Sequence, residues 1–140
     1  MVHPKSRSQL MEYLGAKQKH VVWSWCAIND EERKVYLSVW LDTAEKRNGA
    51  RLSYVIQEPD WGVDEASGAL SPARKDHDEK LALVFEHGYE PYGYFIEAKD
   101  RSARPRQIGD TKTGFVFLLE LERLPNGTIL GYLKRRIEVR

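Results

Sequence analysis

One cysteine, two methionines and no long apolar run mark this chain of 140 residues. Cys26 has no second cysteine with which to close an internal disulfide, and its setting among aromatic and aliphatic residues suits a buried, inert thiol. The lack of a long apolar stretch excludes a helical membrane span. The first fifteen residues carry basic side chains without the apolar segment of a secretion signal, so the expected place is the cytoplasm, with no membrane partner. A surplus of one charge is also missing, since 22 Lys and Arg stand against 21 Asp and Glu. Any nucleic-acid contact must therefore come from a local patch and not from overall charge. His3, His20, His77 and His87 show no metal-ligand spacing with one another or with Cys26, and no cofactor is expected. There is no glycine-rich phosphate loop, no nucleophile elbow, no internal repeat and no low-complexity segment.

What is present is a globular composition, 41% hydrophobic, 11% aromatic and 31% charged. A chain of this size buries enough apolar surface to fold as one domain over residues 1–140 without metal or disulfide. A short helix is predicted at 8–14, capped by Ser6 or Ser8 and ended by Gly15. Period-two alternation over 21–29 puts Val21, Trp23, Trp25 and Ala27 on one face. Residues 35–42 form its hairpin partner, with Val35, Leu37, Val39 and Leu41 facing one way and Tyr36, Ser38, Trp40 and Asp42 the other. After a polar turn ending at Asn48-Gly49 a third strand spans 52–57, and 58–70 reads as a surface loop whose Trp61 needs something to pack on. The main helix, 72–87, has Ser71 as N-cap, Pro72 at its first position, Gly88 as its stop, and Ala73, His77, Leu81, Val84 and Phe85 as its buried stripe. Strands follow at 92–99, at 115–122 and, after the 124–128 turn, near 129–133. The expected fold is α+β: a strongly curved, mostly antiparallel sheet or small β-barrel with two flanking helices.

Two features point to a binding function. Tryptophan is costly to expose and needs a partner for its indole N–H when buried, so Trp25, Trp40 and Trp61, with Tyr54 on a neighbouring strand, are candidates to line a pocket for a flat ligand such as a base. The second feature is a basic loop. Lys99, Asp100, Arg101, Arg104 and Arg106 leave the end of a strand, with Pro105 stiffening the backbone between two guanidinium groups that suit phosphate or guanine-edge contacts. Acid is concentrated elsewhere, between Glu58 and Glu79.

Trp23-Ser24-Trp25 in an early strand, Val35-Tyr36-Leu37-Ser38-Val39-Trp40 in its partner, and Ala98-Lys99-Asp100 followed by Pro105-Arg106-Gln107-Ile108 together resemble the N-terminal modules of bacterial McrA-like HNH endonucleases. The resemblance covers roughly Trp23 to Val139. It implies a PUA- or EVE-like fold, akin to the SRA base-pocket domains, that reads DNA and in some cases modified bases ahead of a nuclease domain. The chain lacks the Cys/His pairs and histidine-rich metal core of an HNH nuclease, so cleavage would reside in a nuclease domain or subunit outside it.

An enzyme reading rests on Pro59-Asp60 and Glu97-Ala98-Lys99, which spell the PD-(D/E)xK pattern of metal-dependent nucleases. In that fold the two motifs lie on adjacent strands, whereas here the capped helix at 72–87 falls between them. The expectation is a non-catalytic DNA-binding module that takes a modified or flipped base. The alternatives are a nuclease of that type or a protein- or small-molecule-binding domain.

Overall fold

The computed structural model describes residues 3–19, 25–47, 51–102 and 107–139, with 46 and 47 described as backbone only. Two helices, α1 (Arg7–Leu14) and α2 (Pro72–His87), accompany eight strands: β1 (Cys26–Asn29), β2 (Lys34–Trp40), β3 (Glu45–Arg47), β4 (Arg51–Gln57), β5 (Glu90–Ala98), β6 (Ile108–Thr111), β7 (Phe115–Arg123) and β8 (Ile129–Glu138). The helices begin and end where the capping residues dictate. Ser6 accepts from the Gln9 N–H and Ser71 from the Arg74 N–H, while Gly15 and Gly88 take left-handed conformations at the C-termini.

The strands form one sheet in the order β1-β2-β5-β7-β8-β4-β3, with β6 added on β5. Among the described residues only β2 and β5 run parallel, and the other strand pairings are antiparallel. The α+β class and the mostly antiparallel sheet are as expected, but the sheet is not a barrel. β2 and β4 stand far apart in the strand order yet touch, so the sheet bends round on itself without a ladder joining its two ends. Among the described residues β1 covers Lys34–Leu37 of β2, with the Ser38 N–H donating on to the Trp25 oxygen at 3.3 Å, and β3 covers Arg51–Ser53 of β4. The 3-10 turn Leu41–Thr43 stitches this seam at one point, where the Thr43 hydroxyl accepts from the Val55 N–H at 3.3 Å.

Alternation along the strands fills two apolar layers. Cys26, Val35, Leu37, Val39, Tyr54, Ile56 and Phe117 gather with Leu81 of α2 on one face, and Ala27, Tyr36, Tyr92, Tyr94 and Ile96 gather with Leu10 and Met11 of α1 on the other. The buried side of α2 also holds charge. Asp76 is 1% exposed and Lys80 8%, and the Lys80 ammonium donates to Asp76 at 2.8 Å. The Cys26 thiol, 3.5 Å from the other Asp76 oxygen, is raised well above its ordinary pKa by burial first and by Asp76 second.

Four elements differ from the sequence expectation: the strand expected at 35–42 ends at Trp40, with Leu41 and Asp42 in the 3-10 turn. β3 and β6 are short polar strands without an apolar rhythm, and β8 continues to Glu138 through Lys134, Arg135 and Arg136 because β7 supplies a partner along its whole length. The part of the predicted first strand at 21–24, including Trp23, lies outside the described residues.

Candidate ligand-binding site

The open seam between β2 and β4 holds a pocket of about 350 Å³. On one side stand Trp25, Ser38 and Trp40, on the other Val55, Ile56 and Gln57, while Glu58, Asp60 and Trp61 of the following loop and His77 of α2 complete it. Three tryptophans spread over 36 positions of sequence, from 25 to 61, thus meet at one cavity. Trp25 and Trp40 lie 5.7 Å apart at 50°, and Trp61 meets Trp25 edge-on at 6.3 Å and 89°. At these spacings the rings touch one another. They form inclined walls against which a ligand would rest, not a slot into which one would slide.

Trp61 owes its place to α2. Arg74, whose guanidinium is paired with Asp78 at 3.0 Å, donates to the backbone oxygens of Pro59 at 3.0 Å and Trp61 at 2.6 Å. The Ser71 N–H adds a bond of 2.8 Å to the Gly62 oxygen. Gly62 permits this approach, for its φ is +71° and a Cβ there would lie 2.7 Å from that of Arg74. The loop is therefore fastened to the start of α2, and the aromatic wall is set before any ligand arrives. A loop at 58–70 was expected from sequence, but its anchoring by Arg74 carries no local signal.

The polar side of the pocket is set by a chain of hydrogen bonds. The Gln57 amide nitrogen donates to Asp78 at 3.1 Å, which turns the amide oxygen toward His77 Nδ1 at 2.6 Å. An amide oxygen only accepts, so Nδ1 carries the ring proton and Nε2 is left as an acceptor. Burial lowers the His77 pKa to about 4, against the opposing pull of Asp78 and Asp76. The ring is neutral at ordinary pH and packs edge-on against Trp61 at 5.3 Å. His77 lies on the apolar stripe of α2 as expected, but it lines the pocket as well as the core.

Tyr54, a candidate for the same pocket, does not line it. It is buried in the core against Phe95, with ring centroids 5.2 Å apart. The basic loop leaves the sheet near the pocket end of β2: Trp40 is opposite Ile96 in the parallel register, and Lys99 follows three residues on, about 10 Å further at strand spacing. Lys99 and Arg101 are exposed. The Asp100 carboxylate accepts from the Ser102 N–H at 2.9 Å and from its hydroxyl at 2.7 Å, so this residue shapes the turn. Arg104 and Arg106 lie outside the described residues. Of the nuclease-like pattern, Asp60 lines the tryptophan pocket and Glu97 is held by Lys112 at 2.7 Å. Among the described residues no three His, Cys, Asp or Glu side chains gather as metal ligands would, and no helix is long and apolar enough to cross a membrane.

A larger depression of about 560 Å³ runs between α2 and the β7–β8 turn. Its arginines are already engaged, Arg74 with Asp78 and Arg123 over the Phe85 ring. The tryptophan pocket, by contrast, has Glu58 and Asp60 among its lining residues. Comparison of the chain with family models, with curated proteins and with solved structures finds no match.

Proposed function

We propose that this chain is a non-catalytic DNA reader of the PUA/EVE-like kind, in which the Trp25, Trp40 and Trp61 walls hold a flipped or modified base and the loop from Lys99 to Arg106 engages the phosphates beside it. The observation that carries this reading is the meeting of three sequence-distant tryptophans at one small, pre-set cavity. A cavity of about 350 Å³ is at the lower end of ligand-site volumes and suits a single small ring system. Extruding a base from a duplex costs a few kcal/mol, which stacking on aromatic walls and hydrogen bonds to the base edge must offset. Cleavage, if the chain takes part in it, belongs to a nuclease domain or partner, as the resemblance to McrA-like modules implies.

The test is a titration of the protein against unmodified, methylated and hydroxymethylated duplexes, repeated with Trp40→Ala and Trp61→Ala. Stacking is worth roughly 1–3 kcal/mol per base, so each substitution should weaken binding to the preferred duplex by about tenfold or more. Trp61→Ala should keep its melting temperature within a few degrees, because that ring stands on a loop and is only partly buried. Binding that ignores both substitutions and all three duplex types would remove the pocket from DNA recognition.

A further inference from the structure

We infer that the base held in the tryptophan pocket carries a positive charge, of the kind that N-alkylation places on a purine or pyrimidine ring. The inference rests on the reading of the pocket as a base site and specifies its chemistry. Three indole rings line the pocket, and the π-face of an indole is the negative part of its quadrupole and attracts cations. Glu58 and Asp60 stand among the lining residues, and among the described residues no lysine or arginine does. His77 adds no positive charge, because burial keeps its ring neutral, and the proton on Nδ1 leaves Nε2 as a further acceptor. Arg74, the guanidinium that anchors the pocket loop, is paired with Asp78 through Nε and donates through Nη1 to the backbone oxygens of Pro59 and Trp61.

A neutral base would gain stacking from these walls but little from the two carboxylates. A phosphate would be repelled, and its place is the basic loop beyond β5. A delocalised cationic ring gains from both the π-faces and the acids. The inclined arrangement of the rings, at 50° and 89°, suits this too, since a cation can face one wall while its alkyl group meets another. A methylated ammonium on a protein side chain shares the charge but has no use for the basic loop that leaves β5, and so is the less favoured occupant.

Isomeric bases separate charge from methylation. Single-stranded oligonucleotides with one 1-methyladenine, which is protonated and cationic, or one N6-methyladenine, which is neutral, carry the same number of methyl groups and differ in the position of the methyl and in the proton that gives the charge. We expect the cationic isomer to bind about tenfold tighter, the effect of a partly desolvated cation–π contact. Glu58→Gln combined with Asp60→Asn, which keeps shape and removes charge, should erase most of that preference without lowering the melting temperature. Equal binding of both isomers, still dependent on Trp61, would overturn the inference and leave the base reading standing. Failure of both oligonucleotides to depend on Trp61 would overturn the two together. A trimethyl-lysine peptide that binds tighter than the 1-methyladenine oligonucleotide, with the same dependence on Trp61, would reassign the pocket to methylated ammonium.

Discussion

His77 is the residue on which folding and the pocket depend together. Its folded pKa is lowered from 6.5 to about 4 by burial, so between these values the unfolded chain binds a proton that the folded chain does not. Stability then rises with pH through that window: it is fully present above about 6.5, is lost as pH falls toward about 4, and changes no further below, where both states are protonated. Since each pKa unit corresponds to 1.36 kcal/mol, the loss amounts to about 3 kcal/mol. Carboxylates titrate near the lower end of the same range, so the measurement is a comparison. Denaturant unfolding of the wild type should lose stability between pH 6.5 and 4 more steeply than that of His77→Gln, and parallel profiles would show that the imidazole is not buried neutral in solution.

At the scale of the element, α2 does three jobs: it covers the core through Leu81, anchors the Trp61 loop through Arg74 and buries an ion pair through Asp76 and Lys80. Removing one member of a buried pair strands the other, so Asp76→Ala should cost about 3–5 kcal/mol, whereas replacing both residues with apolar ones should cost much less. Thermal or denaturant melts of the single and double variants read this directly. A single substitution as mild as the double would mean that water reaches Lys80 and the pair is not sealed. How far such an element is legible in sequence follows from the range of its signals. Ser71, Pro72 and Gly88 are local, and they placed α2 to the residue. The alternation in β2 is local too, and it separated Trp40 from the Val35, Leu37 and Val39 layer. Burial of Asp76 depends on Cys26, 50 positions away, and no rhythm announces it. β3 and β6 escaped notice because each is a short polar strand defined by its neighbour. Trp25, Trp40 and Trp61 could be nominated as a set from their cost when exposed, but Gln57 and His77 could not, because their role comes from a hydrogen-bond chain through Asp78. Tyr54 packs into the core, while Val55, Ile56 and Gln57, further along β4, reach the pocket.

For the molecule as a whole, the single parallel pairing decides how the pieces are delivered. Parallel neighbours need a long crossover, and here residues 41–89 run from the end of β2 to the start of β5, carrying β4, the Trp61 loop and α2 on the way. Every described residue that lines the pocket lies between 25 and 77 and so is made before β5 and β8. The strands that hold its two sides in place come later: β5 supports β2, and β8 supports β4. During translation the walls of the pocket therefore exist for some time as sequence without geometry, and pairing at this separation is the slow kind. A fragment ending at Gly88 would contain every pocket residue and should still show solvent-exposed tryptophan fluorescence and no ligand response, whereas the full chain should show the tryptophan signal and global folding changing together. A fragment that bound would place the organising contacts in the N-terminal half. Otherwise β8, a strand made after every described pocket residue, switches on a site to which it contributes no side chain.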